Sequence, residues 1–429
     1  MARGRRAPNF ISSNRQSSSS GLSSDGLSRR HKPDYLLLII ALLLSAIGLI
    51  VVYAISPGLA AVRGDVGNGF FVAKQAIAVG LGLVAFIVFS LLPVNSLRRI
   101  RNVLVVLSVI GVTVVQLFGE EVNGASRWIQ IGGLSFQVAE LVKFTLVVWV
   151  ANFLVDRLRN GEIGDFKKTL RPLLIILAVI GIIVAKMESD LGSTAVMFAI
   201  MGVMAFVAGL PMKKVAIISA IVVVGVVLAI VSTPYRRDRI TTFMNPTSDC
   251  QDAGYQACQA LIAVGSGGVV GLGLGNSVQA YGYLPEPAND SIFAVYAEKF
   301  GFLGVSVVLG LYLALFSRLK RIIERTADPF SRLFVVGFLA WVSTQTIINI
   351  GAMIGLLPLK GITLPFISYG GTSILFIMAA MGVVFHISRY TAFEPIRNAK
   401  ANKGETGYDN RPVRGRVGRP YYATSSRRP

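Results

Sequence analysis

The chain has little charge for its size. Only 15% of its 429 residues are Asp, Glu, Lys or Arg, whereas 53% are hydrophobic and the mean hydropathy is +0.63. A soluble domain carries roughly 25% charged residues, so this composition excludes an ordinary globular enzyme. Long apolar runs recur at residues 35–56, 70–92, 103–118, 173–185 and 215–233. Counting all segments near the ~20 residues that cross a bilayer predicts an all-α polytopic membrane protein with about ten transmembrane helices.

Cysteine and histidine are also scarce, at two residues each. Two cysteines are too few for a closed metal site. Cys250 and Cys258 both fall in a segment predicted to lie outside the membrane, where oxidising conditions permit a disulfide. Gly254, midway between them, allows a tight turn. A bridge and two free thiols both remain open from the sequence.

Acidic residues are outnumbered, with 22 Asp and Glu against 42 Lys and Arg, which gives a formal charge of +20. Much of that excess lies in two tails, residues 1–33 and 392–429, whose Ser, Gly, Arg and Pro content predicts disorder. The ten-span membrane domain occupies residues 34–391 between them. No nucleic-acid-binding fold accompanies the basic residues, so nucleic acid is not an expected partner.

Basic clusters fall in every second loop, at residues 98–101, 167–168, 213–214 and 318–321. This alternation follows the positive-inside rule and predicts that both termini are cytoplasmic. It also predicts a large extracytoplasmic loop, residues 235–289, between spans 7 and 8.

Two carboxylates stand at the end of that loop, in the stretch 283–293, where a new apolar span begins. Acidic groups beside a low-dielectric wall can be tuned as proton acceptors. Asp290 is therefore the leading catalytic candidate, with Glu286 nearby. The competing interpretation is that Asp290 caps the helix that begins there, since Asp is a good N-cap residue.

Ionisable residues inside the spans are few and costly in lipid, so each should face a cavity or a partner. Glu140 and Lys143 lie three residues apart on one helix face and can pair; a purely structural ion pair is the alternative. Asp190 lies at the end of a span. Glu298 lies about two turns into the span after Asp290, where an interhelical bond and a substrate contact are both open.

Two glycine-rich segments flank these charges, at residues 265–275 and 356–373. Glycine at this density suits close backbone approach, either to a ligand or to a neighbouring helix. In the second segment, Pro358, Pro365 and paired glycines prevent a continuous helix. Irregular backbone at membrane depth is tolerated only where it lines a cavity or is buried in protein.

In these blocks the chain resembles the SEDS family (shape, elongation, division and sporulation), the FtsW/RodA peptidoglycan glycosyltransferases. The matching blocks cover residues 123–143, 188–193, 254–279, 284–298 and 357–371, and the resemblance spans roughly Tyr35 to Arg389. Segments 275–279 and 360–363 are more similar to the division type, FtsW, than to the elongation type, RodA. The departures are Ala280 in place of lysine, Ser189 and Val138 in place of proline, and Ser291 in place of an aromatic residue.

The resemblance implies a membrane enzyme that polymerises lipid II into β-1,4-linked glycan on the outer face of a bacterial plasma membrane, at the division septum. Asp290 matches the family's essential acid and would remove the proton from the acceptor 4-hydroxyl. Cationic side chains should surround the pyrophosphate leaving group. The expected substrate-binding residues are Glu286, Arg127, Lys143, Glu140, Asp190, Arg236, Arg237, Lys360, Ser368 and Glu298.

The implied partners are a class B penicillin-binding protein, which crosslinks the new strand, and other divisome membrane proteins. A divalent cation, Mg²⁺ or Mn²⁺, could assist the leaving group, although the sequence contains no dedicated metal site. Three alternatives stay open: a flippase for lipid II, an elongation-type polymerase, and a scaffold that recruits septal enzymes through its tails.

Overall fold

The computed structural model describes residues 28–30, 32–122, 125–131, 134–181, 190–217 and 254–392, together with residues 220, 225, 243 and 250–251. The predicted disordered tails, except for residues 28–30, 32–33 and 392, and most of residues 235–253 of the large loop therefore lie outside the described residues. Residues up to Ala392 form one unit, and Phe393–Pro429 form a second.

The described part of the chain is dominated by α-helices, with short helical segments at Phe166–Leu170 and Gln279–Tyr283. The α-helices are α1 (Tyr35–Arg63), α2 (Phe70–Leu91), α3 (Val94–Arg99), α4 (Arg101–Phe118), α5 (Val138–Arg159), α6 (Arg171–Ile180), α7 (Leu191–Val207), α8 (Tyr255–Ser266), α9 (Ile292–Arg325), α10 (Pro329–Met353) and α11 (Gly371–Ile387).

Six of these helices, among the described residues, are long and apolar enough to cross a membrane: α1, α2, α4, α5, α9 and α10. Helices α7 and α11 are shorter apolar helices. The predicted class, an all-α polytopic membrane protein, is therefore confirmed. The number of ten spans stays a prediction, because the run predicted at 215–233 lies largely outside the described residues.

Aspartate side chains begin several helices, because the first backbone N–H groups of a helix have no partner within it. Asp34 accepts from the N–H of Leu36 at the start of α1. In the same way, Asp328 accepts from the N–H of Ser331 at the start of α10. In both cases a charged side chain just before the apolar run marks the residue at which the helix begins.

Two small antiparallel sheets accompany the helices and were not anticipated from the sequence. Strands β2 (Glu120–Val122), β3 (Ala125–Ile131) and β4 (Leu134–Gln137) form a meander between α4 and α5. Strand β1 (Ser28–Arg30) pairs with β5 (Tyr390–Ala392). The second pairing joins the two strands at one end of the membrane domain, called the tail face below.

The core lies where α5, α7, α10 and α11 pack together, with α2 alongside α11. Trp341 and Phe144 are among its largest fully buried side chains. By contrast, α4 and the middle of α9 expose apolar side chains such as Val109 and Leu313. In a membrane protein these exposed faces are suited to lipid, because lipid tails are as apolar as the side chains.

Helix α9 is interrupted at Gly301, whose φ of 61° and ψ of −164° are accessible essentially to glycine alone. The glycine-rich segment 267–273 fills the break. Its amides at 272 and 273 donate to the carbonyls of Glu298 and Lys299, and its carbonyls at 268 and 269 accept from the amides at 302 and 303. A side chain on Gly271 would collide with the Lys299 carbonyl. These glycines therefore serve close backbone packing, one of the two interpretations left open.

On the tail face, Arg98 donates two 2.7 Å hydrogen bonds to the Asp328 carboxylate and thereby ties α3 to α10. Burial alone would raise the pKa of the Asp328 carboxyl. Hydrogen bonds from Ser331 and Arg98 outweigh that effect and lower its pKa. The carboxylate is thus favoured in its charged form.

Candidate functional site

Asp290 lies in a tight loop, residues 284–291, at the end of the bundle opposite the tail face. Glu286 begins the turn in the left-handed region, with φ 49°, and its carbonyl accepts from the amides of Asn289 and Ser291. Helix α9 starts only at Ile292, and its N-cap is Ser291 with no side-chain capping bond. The N-cap residue of this helix is therefore Ser291 and not Asp290. Its side chain is half-buried, and Ser291 Oγ lies 3.5 Å from its Oδ1.

Three successive carbonyls of this loop, residues 288–290, are each held by a donor from elsewhere in the chain. The Tyr369 amide, the Ser368 hydroxyl and the Asn349 side-chain amide donate to them in order, at 2.8, 2.6 and 2.7 Å. Fixing one backbone residue costs about 1–2 kcal/mol of conformational entropy, so several anchors are needed to hold a loop still. The Asp290 carboxylate is consequently presented from an immobilised backbone.

The anchors also tie this loop to the irregular segment 357–370. Asn349 Nδ2 donates at 2.7 Å to the Ile362 carbonyl as well as to that of Asp290. The Ser368 hydroxyl accepts from the Leu364 amide at 2.7 Å. Ser368, predicted to bind substrate, thus lies against the Asp290 loop and positions it.

A buried ion pair lies on the other side of that segment. Lys143 donates to Glu140 at 2.6 Å, and the two side chains are only 1% and 2% exposed. Lys143 Nζ also donates at 3.4 Å to the side-chain oxygen of Gln345. The same oxygen accepts a hydrogen bond from the Trp341 indole at 2.8 Å. The Gln345 amide in turn donates to the carbonyl and hydroxyl of Thr363. Helix α10 thus connects the ion pair, through Gln345, to the segment that Asn349 ties to Asp290.

One oxygen of that pair is unsatisfied. Within the described residues, the buried Oε2 of Glu140 has no hydrogen-bond partner. An unpaired buried carboxylate oxygen costs free energy and needs a reason.

Two other predicted residues are engaged in local structure. Asp190 accepts from the Ser193 amide at 2.8 Å and so caps α7, and Gln137 approaches its second oxygen at 3.5 Å. Glu298 is buried and accepts from the Ser277 hydroxyl and from the amides of residues 278 and 279. Glu298 therefore anchors the segment 277–279 to α9, and these partners lie in a loop and not in another spanning helix.

The predicted cationic groups are only partly described. Lys360 lies half-buried in the segment beside Asp290, and Glu286 is exposed on the loop itself. The side chain of Arg127, on β3, and both Arg236 and Arg237 lie outside the described residues. In the described part of the chain, no cluster of three or more His, Cys, Asp or Glu side chains could hold a metal ion.

Cys250 and Cys258 form a disulfide in the structure, with Cα atoms 5.6 Å apart. Cys258 lies in α8, so the bridge fastens Cys250 to that helix within the large loop. From the same helix, the Gln256 amide donates at 3.2 Å to the Ser291 hydroxyl, beside Asp290. The disulfide is thus attached to the helix that provides the hydrogen bond from Gln256 to the Asp290 loop.

Comparisons with known proteins agree on one family. The family model FTSW_RODA_SPOVE, described as cell cycle protein, matches residues 34–392. Stage V sporulation protein E of Bacillus subtilis is 37% identical over 368 residues, covering 85% of this chain and 99% of its own length. The chain belongs to the FtsW, RodA and SpoVE family.

Other relatives and structural neighbours carry names that refer to peptidoglycan synthesis or to cell shape. A protein of Saccharophagus degradans named probable peptidoglycan glycosyltransferase FtsW is 36% identical and covers 83% of this chain and 92% of its own. RodA of Thermus thermophilus superposes with a TM-score of 0.61 at 27% identity, covering 83% and 97%. A structure described as "Structural coordination of polymerization and crosslinking by a peptidoglycan synthase complex" gives a TM-score of 0.68 at 27% identity, covering 83% and 98%. The predicted resemblance is therefore confirmed.

Sequence reasoning missed the three residues that organise the site: Asn349, Gln345 and Tyr369. A signal for two of them was present. Gln345 and Asn349 are polar residues four apart in an otherwise apolar span, so they share a helix face and must find partners inside the bundle. Tyr369 acts through its backbone amide, which leaves no trace in the sequence.

Proposed function

We propose that this bacterial membrane protein is a peptidoglycan glycosyltransferase that polymerises lipid II on the outer face of the plasma membrane, at the division septum. Four of its relatives are named probable peptidoglycan glycosyltransferase FtsW at 34–37% identity, and the family match covers the whole membrane domain. The single observation that supports the site is the triple anchoring of the carbonyls at 288–290. That arrangement fixes a carboxylate at the rim of a membrane bundle.

Asp290 acts as the general base in the proposed reaction. Its carboxylate accepts the proton of the acceptor sugar's 4-hydroxyl while that oxygen attacks the anomeric carbon of the donor. One C–O bond forms, the bond from the anomeric carbon to the lipid pyrophosphate breaks, and the pyrophosphate leaves with the electron pair. An immobilised loop contributes because a reacting group held within about 3–3.5 Å of its partner avoids much of the entropic cost of encounter.

The cations divide into two groups in this proposal. Lys360, beside the Asp290 loop, and Arg127, Arg236 and Arg237 are the candidates for the pyrophosphate, where charge accumulates in the transition state. Lys143 is neutralised by Glu140, so its contribution is to hold the network of α10. A divalent cation remains part of the proposal only as a helper of the leaving group.

A crosslinking partner follows from the same relationship. The structural neighbour with the TM-score of 0.68 is described as coordinating polymerisation and crosslinking in a synthase complex. We infer that this chain works with a class B penicillin-binding protein and with other division membrane proteins. The exposed apolar faces of α4 and α9 are available within the membrane for such a partner or for lipid.

The test is polymerisation of lipid II by the reconstituted full chain with its transpeptidase. Asp290→Asn should reduce glycan formation by at least 100-fold, since general-base catalysis contributes about 10²–10⁴-fold. Asp65→Asn is the matched control, because Asp65 is an exposed acid near the same end of the bundle, 3.2 Å from Arg63, and it should polymerise normally. Equal activity of the two variants would remove Asp290 from the mechanism.

The flippase alternative is supported by the irregular backbone of segment 357–370 and by the buried pair of Glu140 and Lys143. It predicts that the purified chain moves lipid II between leaflets and forms no polymer. Polymer formation by the wild-type protein, with transfer between leaflets no faster than in protein-free vesicles, would exclude that alternative.

A further inference from the structure

A pocket of about 190 Å³ lies on the tail face, at the opposite end of the bundle from Asp290. Its polar lining consists of Lys32, Asp34, Arg321, Arg325, Thr326, Ser388 and Tyr390. The pairing of β1 with β5 borders it, since Lys32 follows the first strand and Tyr390 begins the second. Since one water needs only about 10–15 Å³, the pocket has room for a larger polar group.

The pocket is strongly cationic. Its one carboxylate, Asp34, is engaged elsewhere: it accepts from the Leu36 amide at 3.1 Å and lies 3.7 Å from Arg318. Within the described residues, Arg321 and Arg325 form no salt bridge, and both are exposed. Two guanidinium groups one helical turn apart are therefore available on one helix face, and their planar forks match the oxygens of a phosphate.

Two of the helix-end carbonyls that could repel an anion are occupied. Carbonyls at the carboxyl end of a helix carry partial negative charge, and α9 ends beside this pocket. The Thr326 hydroxyl donates to the Ile322 carbonyl at 2.7 Å, and Arg332 Nε donates to the Thr326 carbonyl at 3.1 Å. The Ser388 hydroxyl donates to the Phe385 carbonyl and accepts from the Asp34 amide. The arginines thus dominate the charge of the pocket.

The same helix face continues into the apolar part of α9. Leu313, Ser317, Arg321 and Arg325 follow at four-residue intervals and are all exposed, Leu313 by 66%. We call the surface formed by Leu313, Ser317, Arg321 and Arg325 the ridge. The Ser317 hydroxyl donates at 2.8 Å to the Leu313 carbonyl of its own helix. The part of the ridge that precedes the arginines is therefore largely apolar. A ligand with a phosphate at one end and an acyl chain at the other fits this ridge and pocket together.

We propose that the tail-face pocket binds the phosphate of an anionic phospholipid, with Arg321 and Arg325 holding the headgroup and the ridge through Ser317 and Leu313 carrying an acyl chain. Soluble phosphate shares the headgroup chemistry but would not use the ridge. The pocket lies beside the paired strands β1 and β5, so an occupied pocket stabilises that pairing.

The experiment is a titration of the detergent-purified full chain with phosphatidylglycerol, phosphatidylcholine and inorganic phosphate, read by native mass spectrometry. Arg321→Gln with Arg325→Gln should weaken phosphatidylglycerol binding about thirtyfold, since each basic group near an anionic lipid surface contributes roughly a fivefold factor. Lys167→Gln with Lys213→Gln is the control: both lysines are exposed in the basic loops, outside the pocket, and the pair removes the same charge. Binding to the control should change less than threefold.

Further arms separate the sources of phosphate. Arg321→Lys with Arg325→Lys retains the charge and should lose less than fivefold, which guards against a variant that merely folds poorly. Leu313→Ser should weaken phosphatidylglycerol and leave inorganic phosphate unchanged. Equal losses in the Gln pair and the Lys167/Lys213 control, saturable binding of phosphatidylcholine, or inorganic phosphate that competes as strongly as phosphatidylglycerol would each overturn the proposal.

Discussion

Asn349 provides the sharpest test of how the candidate site is built. It is 1% exposed, and its amide donates at 2.7 Å to two carbonyls, those of Asp290 and Ile362. Asn349→Leu keeps the approximate volume but removes both donors. Each buried carbonyl left unpaired costs about 1–3 kcal/mol. The loss of both hydrogen bonds therefore destabilises the loop by about 2–6 kcal/mol, unless the loop moves so that water binds the two carbonyls.

A displaced loop should be visible in the rate. A misplacement of about 1 Å of a reacting group costs on the order of 100-fold, so Asn349→Leu should polymerise lipid II roughly 100-fold more slowly at saturating substrate. Because the anchor positions the base rather than the lipid, kcat should fall more than KM changes. The assay is the rate of glycan formation across a lipid II titration with the reconstituted protein.

Asn152→Leu is the matched control. Asn152 is also a buried asparagine in a span, but its amide donates at 3.1 Å within its own helix, to the Val148 carbonyl. That carbonyl retains its helical partner when the side chain is lost, so this variant should lose about 1 kcal/mol of stability and little activity. If both variants polymerise within threefold of each other, anchoring by Asn349 does not matter for the reaction.

Three further predictions concern stability. Glu298→Gln weakens charge-assisted hydrogen bonds to the segment 277–279 and should lower the free energy of unfolding by about 2 kcal/mol, with KM for lipid II unchanged; a large rise in KM would instead indicate substrate contact. Cys250→Ser with Cys258→Ser opens a bridge across a separation of 8 residues, and the chain-entropy relation gives about 2–3 kcal/mol of lost stability, measured by thermal unfolding with and without reductant. The depressed pKa of Asp328 stabilises the fold above the ordinary carboxyl pKa, and that stability is lost as pH falls through the folded value; Asp328→Asn should therefore unfold with a weaker dependence on pH below about 4, and an unchanged acid profile would contradict the assignment.

The buried pair Glu140 and Lys143 shows why charge inside this bundle is not by itself a sign of catalysis. The pair is closed at 2.6 Å and continues through Gln345 to Thr363. Removing one partner of a buried pair typically costs 3–5 kcal/mol, because the other charge is left uncompensated. When Glu140 or Lys143 is substituted, the loss of activity must therefore be compared with the decrease in the fraction of folded protein. Only a loss of activity beyond that decrease assigns the residue a chemical role.

The outcome for Asp290 illustrates how far local patterns reach. Its place at the boundary of an apolar run and its position in the 284–298 block could both be read from the sequence. The same local pattern also allowed a helix cap, and only the backbone could decide between them, since capping depends on dihedral angles near the first turn. Likewise, the small sheet at residues 120–137 forms through pairing between neighbouring strands, which the hydropathy of the surrounding spans does not reveal.

By itself, the sequence determined the membrane class, the alternation of basic loops and the family, because hydropathy, charge placement and short motifs are properties of contiguous residues. The tertiary structure alone decided which polar groups meet. Asn349 and Ser368 lie 59 and 79 residues from the carbonyls that they hold, and Arg318 lies far along the chain from Asp34. Inside a membrane bundle a buried polar group must find a partner wherever the fold brings one, so the site is a product of helix packing and not of any single stretch of chain.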